Sequence, residues 1–231
     1  MAFKLILSAI NEDLFQAFKK HFARFPEVEV VFKSFEQVDF DCVVSAANSF
    51  GLMDGGVDQC ITDYFGVQMM KRVQAQIISD YCGEQPIGSS MIVRGNESIL
   101  PGVKNKYVAH TPTMIVPMDI HKTRNVYMAM KAMLVAIEEH NKTREWMNQT
   151  ASSDTDTRID SVVCPGLGTN TGRVPADFAA KQMAMAYYHF KNPPKAIDWY
   201  YAANRNNEIV SCDIPEDDGM TIDLSQFENL K

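Results

Sequence analysis

The chain has 231 residues, 46% of them hydrophobic and 22% charged, which is typical of one folded α/β domain and excludes a wholly disordered chain. Its formal net charge of −7 argues against a broad basic face for duplex nucleic acid, because phosphate neutralisation needs clustered lysines and arginines. The apolar opening segment is too short to span a membrane and lacks a cleavage site, so we expect one cytoplasmic domain over residues 1–231 without membrane contact.

Cysteine and histidine spacing gives no sign of a metal centre. The five cysteines include no CxxC pair, and the five histidines form no HExxH set. We interpret the cysteines as buried thiols in a reducing compartment, and the pattern requires no metal or other cofactor.

The first part of the chain alternates strand and helix patterns. Residues 3–9 are typical of a short buried strand, and Asn11 can cap a helix that Pro26 closes. Residues 28–32 and 40–47 follow as strands, the second apolar on both faces as a central parallel strand is.

A helical pattern then runs from Val57 to about Cys82 and is interrupted by Gly66, which predicts two consecutive helices. Residues 89–94 and 106–116 are expected to be strands, and residues 123–140 an amphipathic helix.

The last third begins with residues 141–158, the most polar stretch, which we expect to be an insertion or loop. Residues 159–164 return as a strand, and Pro175 begins a helix. Residues 197–213 are expected to add a final strand or ordered strip, before an acidic tail from about residue 215. This alternation predicts a mostly parallel sheet covered on both faces, with ligands outside the carboxyl ends of its strands.

Two glycine-rich loops carry the candidate chemistry. The first, from Asn48 to Asp58, joins a strand to a helix, and glycines there let the backbone N–H groups and the helix dipole face an anion. The second, from Pro165 to Pro175, repeats this arrangement with three glycines and two threonines. Neither matches the Walker or dinucleotide spacing. Each alone could be a tight turn required by packing, but together they favour a diphosphate held from both sides.

These loops resemble those of the macro-domain family. Ser45-Ala46-Ala47-Asn48-Ser49, followed by Gly55-Gly56-Val57-Asp58, is similar to its Asn-Ala-Ala-Asn-Ser signature and the glycine run with Val-Asp that follows. Pro165-Gly166-Leu167-Gly168-Thr169, with Gly172 and Pro175 after it, resembles the second ligand loop of a bacterial and phage branch. The resemblance covers roughly residues 28–190.

The resemblance implies a three-layer α/β/α sandwich with a mixed, mostly parallel sheet of about six strands, and ADP-ribose or a related nucleotide as ligand. Asn48 would position the distal ribose and Asp58 would orient water, as the two catalytic residues. The implied ligand contacts are Ser34, Phe35, Ala47, Asn48, Gly55, Gly56, Val57, Gly166, Gly168, Thr169, Asn170, Thr171, Gly172, Arg173 and Val174.

The chain departs from the family pattern in three places. Ser34 and Phe35 stand where the family often has Asp-Ile to recognise adenine; Ser34 could hydrogen-bond the base and Phe35 could stack on it. Met53 and Asp54 shorten the glycine run. Asn170 and Arg173 replace glycines, and Arg173 could pair with phosphate or be a solvated surface residue.

Alternatives remain for the site and the function. Asp58 is either a base or an acidic residue that stabilises its helix, Asn48 could be a turn former, and His110 is more often structural than catalytic. The aromatic residues Trp199 to Tyr201 could line the distal end of the ligand cleft or pack against other side chains. Three functions are open: hydrolysis of an ADP-ribosyl linkage or ester, binding of the nucleotide without catalysis, or a role as an interaction protein with a degenerate pocket. Its expected partner is ADP-ribose or an ADP-ribosylated macromolecule, in the host cytoplasm if the chain is of phage origin.

Overall fold

A computed structural model describes residues 3–95, 106–149 and 157–212 of the chain. The acidic tail expected from about residue 215 lies outside the described residues.

Six strands form one mixed sheet, as the family resemblance implies. They are β1 (Lys4–Ser8), β2 (Glu29–Val31), β3 (Cys42–Asn48), β4 (Met91–Arg94), β5 (Tyr107–Met114) and β6 (Ser161–Cys164). Their order across the sheet is β2-β1-β6-β3-β5-β4, and every pairing is parallel except that of β4 with β5.

Helices cover both faces of this sheet. They are α1 (Glu12–His21), α2 (Gly56–Phe65), α3 (Gln68–Tyr81), α4 (Asn125–Gln149), α5 (Ala176–Lys191) and α6 (Trp199–Ser211). The predicted cap of α1 is confirmed, since Asn11 Oδ1 accepts a hydrogen bond of 2.9 Å from the Leu14 amide. The predicted break between α2 and α3 is also confirmed at Gly66, which has φ +84°.

Alternate residues along the central strands enter two separate cores. Val44 of β3 packs with α1, α4 and α5, whereas Val43 packs with α2 and α3. The same alternation holds on β5, where Ala109 faces the first core and Val108 the second. The result is the three-layer α/β/α sandwich that the resemblance implies.

The polar stretch 141–158 is not a loop in its first half, because α4 continues to Gln149. Asn141 is buried within this helix, where its amide donates 2.8 Å to the Ile159 carbonyl and accepts 2.8 Å from the Ile159 N–H. The loop prediction was wrong for residues 141–149 because most other polar residues here lie on an exposed helix face, and Asn141 satisfies the backbone beside β6.

The strand alternative predicted for residues 197–213 was also wrong, since Trp199–Ser211 form α6. The Asp198 carboxylate accepts 2.7 Å from the Tyr201 amide and caps this helix, which outweighs the β propensity of the aromatic run. Because α5 has 16 residues and runs away from the carboxyl ends of the strands, Trp199 at the start of α6 lies far from that rim.

The cysteine prediction holds in part. Cys42, Cys164 and Cys212 are buried, but Cys60 and Cys82 are exposed, and all five thiols are free. Within the described ranges, no helix has the length and apolarity needed to cross a membrane.

Candidate functional site

The two glycine-rich loops emerge side by side. Cys42 and Val43 of β3 pair in parallel with Val162 and Val163 of β6, so both strands deliver their carboxyl ends to the same rim. A Cβ atom built on Gly56 would lie 3.6 Å from the Nδ2 atom of Asn170. The first loop and the second loop, defined here as residues 48–58 and 165–175, therefore face each other across a narrow gap.

Asn48 organises the first loop through its side chain. Its Oδ1 atom accepts 3.1 Å from the Phe50 amide and 3.2 Å from the Leu52 amide, while its Nδ2 atom donates 2.8 Å to the Leu52 carbonyl. These bonds agree with the turn-forming role, and they commit both acceptor lone pairs and one of two donor hydrogens of the amide.

Met53 holds the middle of the same loop from below. Its side chain is fully buried in the core of α2 and α3, and its carbonyl accepts 2.8 Å from the Thr62 hydroxyl. The departure from the family glycine run is thus an apolar contact that ties the loop to α2.

Gly55 and Gly56 form the open part of the first loop. Nothing lies within 4 Å of a Cβ built on Gly55, and Gly56 adopts φ +58°, which favours glycine. Gly55 caps α2 without any side-chain hydrogen bond. Because the first N–H groups of a helix have no intrahelical partner, this end of α2 presents donors and a positive dipole end at the rim.

The glycines of the second loop are required for a different reason, which is lack of space for a side chain or a left-handed backbone. A Cβ on Gly166 would lie 2.6 Å from Leu14 Cδ2, and one on Gly172 would lie 2.5 Å from the Gly168 carbonyl oxygen. Gly168 itself adopts φ +68°. For these three positions, packing and turn geometry alone require glycine.

Polar side chains of the second loop remain at the surface. Asn170, Thr171 and Arg173 are exposed, and Arg173 adopts φ +54°, a left-handed conformation that is uncommon for a residue other than glycine. The Ile120 amide donates 2.9 Å to the Gly172 carbonyl and fixes this loop to the segment before α4.

Asp58 lies in the first turn of α2 and is only 5% exposed. Its Oδ1 atom accepts 2.7 Å from the Ser45 hydroxyl on β3. Burial raises the pKa of Asp58 to about 6, a rise that the Ser45 hydrogen bond opposes and the charge of Asp54 increases. The carboxyl group therefore changes charge near neutral pH, as a proton-transfer group does.

The predicted adenine contact by Phe35 is wrong. Phe35 is 3% exposed and packs in the core, with ring centroids 6.0 Å from Phe40 and 5.8 Å from Tyr64. The aromatic ring at the end of β2 that does face outward is Phe32, 50% exposed and 5.3 Å from the Phe15 ring. Its place directly after a strand is the sequence signal for an aromatic ring exposed at this rim.

The predicted site residues differ in how far they are exposed to solvent. Those that the structure leaves exposed are Gly55, Gly56, Asn170, Thr171 and Arg173; Ser34, Val57, Gly166 and Thr169 are half-buried; Phe35, Ala47, Asn48, Asp58, Gly168, Gly172 and Val174 are buried. The Ala47 and Val174 side chains face the protein interior, so only their backbone can contribute to a ligand site.

Two surface cavities lie away from both loops. One of about 440 Å³ borders Met128 and Lys131 of α4, and one of about 210 Å³ lies between α5 and α6 beside Arg205. Neither is lined by a residue of either loop. In the described ranges, no group of three or more His, Cys, Asp or Glu side chains is arranged to hold a metal ion.

Replacing Asp58 with asparagine should stabilise the folded chain above about pH 6. The pKa of Asp58 rises from 3.8 to about 6 on folding, so its contribution to the unfolding free energy is complete below pH 3.8 and is lost as the pH rises through 6. We expect a gain of up to about 3 kcal/mol at neutral pH and no gain near pH 4, measured by urea unfolding. The exposed Asp63→Asn, on the same helix, is the control; an equal gain for both variants would contradict the account.

Comparison with known proteins agrees with this architecture. The model of the Macro-like domain family matches residues 5–195. An uncharacterized protein of Aquifex aeolicus (strain VF5) is 29% identical over 187 residues, which are 80% of this chain and 93% of that protein.

Two solved structures have the same fold. The macrodomain of Mycobacterium tuberculosis DarG superposes with a TM-score of 0.50 and 18% identity, over 68% of this chain and 87% of that chain. A mutant Oceanobacillus iheyensis macrodomain with ADPR superposes with a TM-score of 0.51 and 16% identity, over 90% of this chain and 92% of that chain. Since the family model spans most of its length, the chain belongs to the Macro-like domain family.

Proposed function

We propose that this protein binds ADP-ribose or a closely related nucleotide, with the diphosphate between the two loops. The observation that carries the proposal is the open backbone at Gly55 and Gly56, at the start of α2 where no side chain caps the helix, opposite Asn170 of the neighbouring loop. Backbone N–H groups at a helix start are a recurrent anion site, and two facing loops suit two linked phosphates. The Oceanobacillus relative of the same fold was solved with ADPR.

The charges at the rim support a phosphate ligand in part. Arg173 lies close enough to Asp119 that its charge, after the hydrogen bonds from His121, helps hold the pKa of that carboxyl below its usual range. Its left-handed backbone is the kind of local strain that clusters at ligand sites. Asp54 is exposed beside Gly55 and Gly56, and its negative charge disfavours binding of an anion there. Arg173 is therefore the cation that we assign to the diphosphate.

A base would be held at the other end of the rim. Phe32 follows β2, and Phe15 lies on α1 after β1, so their paired rings form an exposed aromatic surface beyond the second loop. Aromatic faces bind nucleobases by stacking without requiring a particular base. Ser34, half-buried and two residues further along, remains the predicted hydrogen-bonding partner of adenine.

Gly55→Glu should abolish binding of ADP-ribose without loss of stability. The position has extended backbone and open space around its Cβ, so the new side chain causes no internal clash, whereas Gly56 would be strained by its positive φ. A carboxylate opposite the diphosphate costs several kcal/mol, so we expect affinity to fall at least about 100-fold in calorimetric titration. Gly55→Gln is the control for size without charge and should lose less. Unchanged affinity in Gly55→Glu would sink the proposed site.

Phe32→Ala should weaken ADP-ribose about 10-fold, because the stacking surface for the base is lost. Ribose 5-phosphate, which has no base, should bind the variant as it binds wild type, and Phe32→Tyr should restore ADP-ribose affinity. If Phe32→Ala lost the same affinity for ADP-ribose and for ribose 5-phosphate, the base would not stack on Phe32.

Hydrolysis of an ADP-ribosyl linkage, on ADP-ribose esters or an ADP-ribosylated macromolecule, is the second candidate function. The observation that favours it is Asp58, a buried carboxyl group with a pKa of about 6, two residues after the exposed Gly56. A base whose pKa lies near working pH suits activation of water at the distal ribose. Asn48 would contribute by shaping the loop and through its remaining amide hydrogen.

Turnover separates the two functions. With Asp58→Ala, hydrolysis of ADP-ribosylated protein or ADP-ribose ester should fall about 100-fold or more, the usual contribution of a general base, while ADP-ribose affinity stays within about 3-fold. The exposed Asp63→Ala is the control. Unchanged turnover in Asp58→Ala excludes the role of Asp58 as the general base. If the wild-type protein binds ADP-ribose but hydrolyses none of these linkages, only the binding function remains. If it does not bind ADP-ribose at all, the interaction protein is favoured.

A further inference from the structure

The segment between β5 and α4 packs against the second loop through Ile120. This residue is 2% exposed, and Cβ atoms built on Gly168 and Gly172 would lie 3.0 Å from its Cδ1 atom and 2.8 Å from its Cγ1 atom. Its amide donates 2.9 Å to the Gly172 carbonyl. These two glycines therefore make room for Ile120, and the residues on either side of it border the second loop.

The two neighbours of Ile120 in the chain form a hydrogen-bonded pair at the surface. Asp119 Oδ1 accepts 3.0 Å from the His121 amide and lies 2.5 Å from the ring Nδ1 atom of His121. Because a carboxylate can only accept, Nδ1 carries a hydrogen, and Nε2 is the nitrogen that gains and loses a proton. The Asp119 and His121 side chains are 40% and 44% exposed, so the pair faces solvent beside the second loop.

Arg173 of the second loop completes this cluster. It directly follows Gly172, the residue whose carbonyl accepts from Ile120. The hydrogen bonds from His121, together with the charges of His121 and Arg173, hold the pKa of Asp119 below its usual range. The Asp119 carboxylate therefore interacts with both basic residues, and each of them competes for its negative charge.

We propose that the cluster of Asp119, His121 and Arg173 determines how strongly the site prefers an anionic ligand, and that protonation of His121 increases this preference. With His121 neutral, the charge of Asp119 offsets that of Arg173, so the cluster has no net charge. With His121 protonated, the cluster has one net positive charge. A diphosphate held at Arg173 then binds more tightly, because opposite charges attract. The inference rests on the proposed binding of ADP-ribose between the two loops.

Other charged groups on the neighbouring elements also bear on the pH dependence. They are Lys122 and Arg124 of the same segment, Asp54 and Asp58 of the first loop, and Asp177 of α5, which bonds His21. Burial raises the pKa of Asp58 to about 6, and a histidine such as His21 changes charge between pH 5 and 8. The experiment therefore has to separate His121 from Asp58 and His21.

The first test is calorimetric titration with ADP-ribose at pH 5.5 and pH 8, in the full chain with Asp58→Asn so that this carboxyl group does not titrate. The diphosphate of ADP-ribose is esterified at both ends, so its charge is constant over this range, whereas the phosphate monoester of AMP titrates near pH 6. We expect binding to be about 3- to 5-fold tighter at pH 5.5 in low salt, the scale of one exposed charge pair. Added salt should reduce this difference.

Three further substitutions in that Asp58→Asn protein assign the difference to the cluster. His121→Gln keeps a hydrogen-bond donor but cannot ionise, so the difference between the two pH values should disappear. Asp119→Asn should bind about 3- to 5-fold tighter at pH 8, because nothing then offsets Arg173. His21→Gln is the matched control, since it removes another histidine bonded to an aspartate, and it should retain the full difference. A difference that persists in His121→Gln, or unchanged affinity of Asp119→Asn at pH 8, would overturn the proposal.

The second test observes His121 itself and separates this inference from the proposed function. Linkage is reciprocal, so a 3- to 5-fold gain in affinity requires that saturating ADP-ribose move the titration midpoint of the His121 ring upward by about 0.5 to 0.7 pH unit, followed by ¹H NMR. If ADP-ribose binds without moving this midpoint, the cluster has no role in binding and the proposed function stands. If ADP-ribose does not bind at either pH, the proposed function and this inference both fail.

Discussion

Parallel pairing of β3 with β6 is the constraint on which the candidate site depends. The two strands are far apart in the chain, and only their pairing brings Gly56 and Asn170 to opposite sides of one gap. β5, on the other side of β3, leads into the segment whose Ile120 packs against the second loop. A shift of one residue in the register of β3 would turn Ser45 away from Asp58, to the opposite face of the sheet. The hydrophobic alternation that fills the two cores therefore also determines the polar chemistry under the first loop.

Glycines of similar appearance in the sequence serve different purposes. Gly166 and Gly172 are required because any side chain would collide with Leu14 or with backbone, so they shape the second loop. Gly55 has open space around it and a backbone that any residue can adopt, which leaves ligand approach as the reason we propose for glycine there. Substitutions at Gly166 or Gly172 would confuse folding with binding, whereas substitutions at Gly55 separate them.

Much of the fold could be predicted from the sequence because apolar periodicity reports directly on burial. Strand β3 was accessible in this way, while the break at Gly66 and the Asn11 cap followed from the local preferences of glycine and asparagine. The prediction failed where a polar residue has a buried partner, as Asn141 does with Ile159 inside α4. It also failed for Phe35, since alignment with the Asp-Ile of the family does not say whether the ring enters the core, as that of Phe35 does, or stays exposed, as that of Phe32 does. The place of Asp119 and His121 beside Arg173 depends on the packing of Ile120 against the second loop, which no local pattern contains.

The central claim is that one ligand contacts both loops, and amide NMR during titration with ADP-ribose tests it most directly. The account predicts that the backbone resonances of Gly55 and Gly56 and those of Asn170 to Arg173 move together, with one dissociation constant, and that Gly55→Glu suppresses both sets. Shifts confined to one loop, or to residues beside the cavity at Lys131, would contradict a diphosphate held between them.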